Sequence, residues 1–417
     1  MDNKKKNYAV IIFLIIVVAV VYWFYDKNQS FLPALLPPKS PEAVNPEANI
    51  SAQDGGEVKS GNFTGMPLTI PANMRMQIFA KDLGTPRDLE TDPNGNILVS
   101  IPSQGKIVRL IDADKNGQAE KTETLLFGLK RPHGLAVSGK YLFLAEEDKV
   151  TRYTWDESST KITLDKKLID LPTGGNHTTR SLLLLDNPED QTGEDTDQLL
   201  ISIGSSCNVC NESDWRRAAI LVMNLDGSNQ KLYASGLRNT VFMAQGPGGV
   251  WGTDMGRDLL GDNIPPEEMN IIEEGKDYGW PVCFGNNIHD TNFDKNTYIQ
   301  SPCTDKAPPV VEMQAHSAPL GLAFVPEGFP KDWQYDLLVA FHGSWNRSVP
   351  TGYKIVRIKL NENSKHEGTE DFISGWLPGT NSKQAYGRPV DILLEVGGVG
   401  YISDDKAGIV YKIQYVK

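Results

Sequence analysis

Two stretches of the 417-residue chain place reactive side chains directly ahead of apolar runs. In GGNHTTRSLLLL, Gly174 to Leu185, the imidazole of His177 and the guanidinium of Arg180 precede a run that reads as a buried strand. An imidazole is the side chain best suited to take a proton near neutral pH. In LRNTVFMA, Arg238 and Asn239 stand in the same relation to another apolar run, and a guanidinium presents a fork of donors that matches a carboxylate. Arg87 in PRDLE, His133 in RPHGLAV and Arg388 in GRPVDIL occupy equivalent lead-in positions. A lone histidine is more often a hydrogen-bonded structural residue than a base, and a buried arginine often only ties neighbouring elements together. What these residues do therefore rests on where the fold puts them.

The elements that must position them are short. From about Met66 onward, β-rich runs bounded by Gly, Pro, Asn and Asp recur, with hardly a helix-length amphipathic pattern. Six loosely similar units begin at Pro86, Arg131, His177, Leu237, Ala318 and Gly387. Each has a polar or proline lead-in, an apolar strand, a turn with Gly or Asp, and a second strand. Six units in roughly 350 residues have the spacing of four-stranded blades. The expected fold is all-β, a six-bladed β-propeller whose closing strand comes from the segment around MRMQIFAKDL, ahead of the first unit. In such a ring the inner strands line a central channel, so lead-in residues of separate blades converge at one end. Several cations and imidazoles would then share one space in a chain of net charge −12. That arrangement calls for an anionic ligand between them.

The negative balance, with no Lys/Arg cluster beyond the first residues, excludes a nucleic-acid partner. At 40% hydrophobic and 23% charged residues, the composition supports a large globular core. The N-terminus departs from this: MDNKKKN is followed by an uncharged stretch from Tyr8 to Tyr25, just short of the ~20 residues that span a bilayer. Lys4, Lys5 and Lys6 place the N-terminus in the cytoplasm and the remainder outside. A cleaved signal peptide is the competing reading; the stretch is long for one, and no A-x-A site follows it. The expected organisation is a basic tail (1–7), a transmembrane helix as anchor (8–25), a Pro/Ser-rich linker (26–65) and a catalytic propeller (66–417) at the extracytoplasmic face of the cell membrane.

Four cysteines fall in two local groups, which favours disulfides Cys207 with Cys210 and Cys283 with Cys303 in an oxidising compartment. The paired CxxC of a zinc site is absent, and Asn211 stands where covalent haem needs histidine. Separately, DADKNGQAEKTE satisfies the calcium-loop pattern D-x-[DN]-x-[DN]-G-x5-E, so Asp112, Asp114, Asn116 and Glu123 are candidate ligands of a second Ca2+. Its flanks read as strands, and a solvated acidic hairpin is the alternative.

GGNHTTRSL, GSSCNVCNESDWRRAAI, SGLRNTVFMA, DYGWPVCFG, AHSAPLGLAF, FHGSWNRSVPTGYKIVRIKL and GRPVDIL with GYISDDKAGIVYKI come in this order. Together they resemble the glucose/sorbosone dehydrogenase family, the soluble pyrroloquinoline quinone (PQQ) sugar dehydrogenases, and most closely its sorbosone dehydrogenase-like branch. The resemblance covers nearly all of the chain after the linker. It implies a six-bladed propeller holding PQQ and Ca2+ at the top of the channel. It also implies oxidation of an aldose or sugar aldehyde, with electrons passed to a membrane quinone or a soluble carrier. PQQ carries three carboxylates, which suit a basic rim. By this resemblance His177 is the general base for the sugar C1 hydroxyl, while hydride passes to the quinone. Arg238 lies beside the quinone oxygens, Asn239 beside the cofactor, and Arg388 meets a carboxylate. His133, Arg180, His316 and His342 complete the set that faces the cofactor. Backbone carbonyls of Gly256 and Arg257 are the implied metal ligands.

Three positions depart from the family pattern. Arg257 replaces a proline, Val390 stands where the glucose-oxidising branch has a second arginine, and His342 or Arg347 falls where a lysine is expected. Substrate choice is therefore open. A propeller also serves as a scaffold, so a non-catalytic ligand-binding protein is an alternative. A Ca2+-dependent, lactonase-like hydrolase is another, and it would need several carboxylates converging on the channel.

Overall fold

The computed structural model describes residues 59–185 and 198–416. The anchor and most of the linker expected at residues 8–65 lie outside them, and among the described residues no helix is long and apolar enough to cross a membrane.

Six blades follow one another, each counted from the axis outward; every blade has four antiparallel strands, and the sixth carries the two-residue strand Gly61–Asn62 as a fifth, parallel one at its outer edge. Blade 1 is Leu89–Thr91, Ile97–Ile101, Lys106–Ile111 and Lys121–Leu126; blade 2 is Leu135–Ser138, Tyr141–Ala145, Lys149–Trp155 and Ile162–Asp170. Blade 3 is Arg180–Leu185, Gln198–Ile203, Ala219–Asn224 and Lys231–Ser235; blade 4 is Thr240–Gly246, Gly249–Asp254, Glu267–Ile272 and Val311–Met313. Blade 5 is Pro319–Phe324, Leu337–Phe341, Lys354–Leu360 and His366–Ile373. Blade 6 takes Pro389–Glu395, Val399–Asp404 and Ile409–Tyr415 from the C-terminus and Met74–Ala80 from the N-terminus. Met74 pairs with Tyr415 and Ile78 with Tyr411, so the ring closes through MRMQIFA as the repeat analysis requires.

Burial follows from this geometry. Second strands lie between two neighbouring blades, so Ile97–Ile101 and Leu337–Phe341 are buried at every residue and apolar at all but Ser100. Outermost strands face solvent, and Ile162–Asp170 is mostly polar and exposed. The core is accordingly divided among the seams between blades. Leu98, Ile107, Leu142 and Leu144 join blades 1 and 2, and Met74, Ile402 and Tyr411 meet Leu338 and Ile355 between blades 6 and 5.

Hydroxyls at second strands fix the blades against one another. Ser202 donates to the Thr240 carbonyl, Thr253 to the Leu320 carbonyl at 2.7 Å and Ser403 to the Arg87 carbonyl. Carboxylates do the same from inner strands: Asp88 Oδ2 accepts from Leu135 N at 3.0 Å and Asp391 Oδ2 from Leu89 N at 2.8 Å. Both expected disulfides are present, Cys207–Cys210 and Cys283–Cys303. The second pins a small hairpin, Cys283–Phe284 with Ile288–His289, inserted between the third and outermost strands of blade 4.

Candidate active site

Inner strands touch their neighbours around the ring, and each runs antiparallel to its second strand. The start of every inner strand and the end of every second strand therefore lie at one face. That face collects the lead-in residues.

The His177 loop is held from several sides. Arg180 is fully buried and its guanidinium donates to the carbonyls of Pro172 (2.7 Å), Thr179 (2.7 Å) and His177 (3.0 Å). Arg217 donates to the carbonyls of Thr173 and Gly174 at 2.7 and 2.9 Å. Gly175 adopts φ +84°, and a Cβ there would come within 2.6 Å of Ser206. Gly204 has no room either, because a Cβ would reach Asn239 Oδ1 at 2.4 Å and His177 Cβ at 2.7 Å.

His177 Nδ1 lies 3.0 Å from the Ser205 carbonyl and 2.9 Å from Ser205 Oγ, whose own proton goes to the Cys207 carbonyl at 2.7 Å. A carbonyl can only accept, so Nδ1 carries the proton and Nε2 keeps its lone pair. Among the described residues nothing bonds to Nε2. Burial, then the charge of Arg238, then those of Arg180 and Arg217 push the His177 pKa down to about 3. The imidazole is neutral at neutral pH and sits in a positive field.

Arg238 and Asn239 adjoin this loop in blade 4. Asp254, at the end of the second strand, accepts their backbone N–H groups at 2.9 and 2.7 Å. Burial first, offset in part by these bonds, raises its pKa to about 6. The Arg238 guanidinium meets the Asn208 carbonyl (2.9 Å), Asn208 Oδ1 (2.9 Å) and Asp258 Oδ2 (3.0 Å). Asn208 lies inside the Cys207–Cys210 loop, so one short disulfide loop supports both Arg238 and, through Ser205, His177. Asn239 Nδ2 finds only the Met255 thioether, at 3.6 Å, which leaves an amide donor underused. Asp258 Oδ1 accepts from Asn346 at 2.6 Å, and Asn346 contacts His316 Nδ1 at 3.2 Å while His316 Nε2 reaches the Gly261 carbonyl at 2.7 Å.

A second group forms where blades 5, 6 and 1 meet. Asp405 bridges Arg87 Nη1 at 2.8 Å and His342 Nε2 at 2.9 Å. Arg388 donates to the carbonyls of His342 (3.0 Å) and Gly343 (2.6 Å) and lies over the Tyr353 ring. Burial and then Arg388 push the His342 pKa down to about 4. Burial opposes ionisation of Asp405, but His342, Arg87 and Arg388 more than offset it and hold its carboxyl below the usual range. His133 links the two groups: its Nδ1 is 3.3 Å from Ser181 Oγ and its ring meets Phe242 of blade 4 at 5.2 Å. Its Nε2 is buried with no partner.

Three expectations need correction. Arg180 does not front an open pocket, because its guanidinium is buried on backbone carbonyls and braces the His177 loop. Glu123 does not join the acidic loop, since it lies on a strand 3.6 Å from Arg109 and 3.3 Å from Lys121; Glu120 takes its place beside Asp112 and Asp114. The lead-in positions are also less uniformly basic in effect than expected, with Asp405, Asp258 and Asp254 matching Arg87 and Arg238 from the second strands and the loops that follow them. Sequence reasoning missed these acids together with Ser205, Asn208 and Arg217.

The remaining groups fit an oxygen-rich anion: a positive field at His177, the underused amide of the adjacent Asn239 and the orphaned His133 nitrogen belong to lead-in positions at one face of the ring. Metal ligands are less developed. Gly256 N donates to Glu267 Oε2 at 2.6 Å and Arg257 pairs with Asp290 at 2.8 Å, which leaves the Gly256 and Arg257 carbonyls without a donor among the described residues. Among those residues, the groups of three metal-ligating side chains lie elsewhere, at Cys207, Cys210 and Glu212, where the sulfurs form a disulfide, and at Asp112, Asp114 and Glu120.

The TrAA12-like family model matches residues 68–416, and the chain belongs to that family. An uncharacterised protein of Borreliella burgdorferi is 31% identical over 369 residues, which cover 84% of this chain and 91% of that protein. A pyrroloquinoline quinone-dependent pyranose dehydrogenase of Coprinopsis cinerea is 23% identical over 83% of this chain; the match spans 54% of that enzyme, about half its length. Among solved structures, the carbohydrate-active enzyme of family AA12 from Trichoderma reesei aligns with TM-score 0.71 at 22% identity, over 86% of this chain and all of that one. The holo PQQ domain of the Coprinopsis cinerea pyranose dehydrogenase aligns with TM-score 0.69 at 20% identity, over 85% and 98% of the two chains. At such identities these structures speak to the shared fold.

Proposed function

We propose that the chain is a PQQ-dependent oxidoreductase acting on an aldose or sugar aldehyde, with His177 as general base. The observation that carries this reading is the His177 imidazole, whose Nδ1–H is committed to Ser205 while Nε2 stays unbonded, on a side chain that adjoins Asn239 and feels the charge of Arg238. With the surrounding positive field offset by a bound anion, such a group accepts a hydroxyl proton at Nε2, and the Ser205 carbonyl and hydroxyl hold the imidazolium that forms. PQQ, when bound, supplies the acceptor for the hydride and its two electrons. Asn239, Arg238, Arg388, His133, His316 and His342 are the residues that would hold it, through oxygen-directed donors and a positive field. Ca2+ would rest on the Gly256 and Arg257 carbonyls. The relatives named above support sugar oxidation in general; the sorbosone-like branch is the finer proposal. The hydrolase reading lacks its requirement, because the axial carboxylates are committed to arginines and backbone N–H groups. We further propose attachment to the cell membrane through residues 8–25, with the propeller extracytoplasmic and electrons leaving to a membrane quinone or a soluble carrier.

The test is reconstitution of the full chain with PQQ, with and without Ca2+, followed by dye reduction with a panel of aldoses and sugar aldehydes. Saturable PQQ uptake and sugar-dependent reduction are expected. Absence of PQQ uptake in both conditions would overturn the proposal.

A further inference from the structure

The hairpin from Asp112 to Glu120 joins the third and outermost strands of blade 1 and takes no part in the axial site. We propose that it is a calcium site whose ion fastens the seam at which the ring closes. Asp112, Asp114 and Glu120 each offer a carboxylate oxygen, and these atoms lie within 4.8 Å of one another. Three negative charges so close repel unless cations offset them. Lys412 Nζ, 3.4 Å from Asp112 Oδ2, brings only one positive charge. The other Asp112 oxygen, Oδ1, is buried without a hydrogen-bond partner, on a side chain only 9% exposed. A buried carboxylate oxygen with no donor is costly, and a cation at the cluster removes that cost. Hard oxygen ligands on an irregular loop suit Ca2+, which tolerates variable geometry better than octahedral Mg2+.

The register of the site is its own. A twelve-residue calcium loop enters a helix, where its last acid turns back to the ion. Here the chain reverses into the strand Lys121–Leu126, so the ninth residue, Glu120, is the last that faces the loop. Glu120 Oε2 also accepts from Ala113 N at 2.8 Å, which draws the two ends of the hairpin together. Asn116 shapes the turn, its Oδ1 accepting from Gln118 N at 2.8 Å.

The loop touches both strands that close the ring. Ala119 N donates to the Phe79 carbonyl at 2.8 Å, and Gln77 Nε2 donates to the Gly117 carbonyl at 2.6 Å. Gln77 and Phe79 belong to the N-terminal strand of blade 6, and Lys412 to the C-terminal strand paired with it. An ion that orders the hairpin therefore opposes release of the ring-closing strand Met74–Ala80.

The experiment uses the metal-stripped full chain and Ca2+ alone. Calorimetric titration counts bound ions, and the melting temperature is read in Ca2+ and in chelator. Asp114→Ala changes an exposed side chain, and the variant should lose one equivalent of Ca2+ relative to the parent whatever the axis binds. It should also lose a Ca2+-dependent rise in melting temperature, and the Ca2+-dependent slowing of hydrogen exchange at residues 74–80. Glu120→Gln should weaken binding as Asp114→Ala does, whereas Glu123→Gln should keep the full count. The proposal fails if Asp114→Ala binds as many ions as the parent. It also fails if the parent melts at the same temperature in Ca2+ and chelator, or if Glu123→Gln loses the ion and Glu120→Gln does not.

Discussion

His177 and His342 are the same side chain at one face of one ring, and their partners set them apart. His177 reaches the carbonyl and hydroxyl of Ser205, at the end of the blade 3 second strand, and keeps an unbonded nitrogen. His342 directs Nε2 to Asp405, just past the end of the blade 6 second strand, and Asp405 is shared with Arg87. Each partner accepts one ring N–H and so fixes a tautomer; the open nitrogen is Nε2 in His177, beside a neutral serine, and Nδ1 in His342, whose other nitrogen is held by a carboxylate shared with an arginine. Lead-in position alone does not assign chemistry. The residue facing it from the neighbouring strand does.

The largest expected effect is on turnover. If His177 is the base, His177→Ala in the PQQ-loaded enzyme should lower kcat by about 10²–10⁴-fold, while PQQ uptake measured by equilibrium dialysis is retained. His342→Gln should lower turnover far less, because the proposed reaction assigns it no proton transfer. Equal losses in the two variants would erase the distinction drawn between them.

Acid stability sharpens the comparison in the other direction, since here the two histidines should behave alike. Both have folded pKa values below the unfolded value, about 3 for His177 and about 4 for His342. Their contribution to stability is complete above the unfolded value near pH 6.5 and is lost as pH falls, because the unfolded chain binds protons that the fold refuses. Each adds a slope of up to about 1.4 kcal/mol per pH unit in that window. Glu267, raised to about 8 chiefly by burial, works oppositely: its contribution is present at low pH and lost as pH rises from about 4.5 through 8. Denaturant melts of His342→Gln should therefore show a shallower fall between pH 6.5 and 4 than the parent. A steeper fall would mean that His342 is a charged partner of Asp405.

What could be read in the sequence divides along the same line. The six inner strands, the closing strand Met74–Ala80 and both disulfides were legible because apolar runs, turn residues and cysteine spacing are local signals. His177, Arg238 and Arg388 were legible as residues leading into strands. Their partners were not. Asp405 meets Arg87 from 318 positions away, and Asn208 meets Arg238 only because blades 3 and 4 adjoin. Such acids and amides read as ordinary turn residues until the ring is closed. The displacement of Glu123 by Glu120 has a different cause, because the calcium pattern assumed a helical return whereas the hairpin returns as a strand.

The smallest expected effect comes from Ser205→Ala. The Ser205 backbone carbonyl remains in place to accept from His177 Nδ1, so the tautomer is kept and the loop still has Arg180 and Arg217 beneath it. What disappears is the second acceptor at 2.9 Å and the hydroxyl bond to the Cys207 carbonyl. A single neutral hydrogen bond is worth about 1 kcal/mol, so kcat should fall by roughly five- to tenfold. KM should be unchanged, because Ser205 acts on the charge that develops on His177 and not on bound sugar. A variant that raises KM with kcat intact would instead place Ser205 in substrate binding, and the contrast between the Ser205-held and Asp405-held histidines would then rest on tautomer alone.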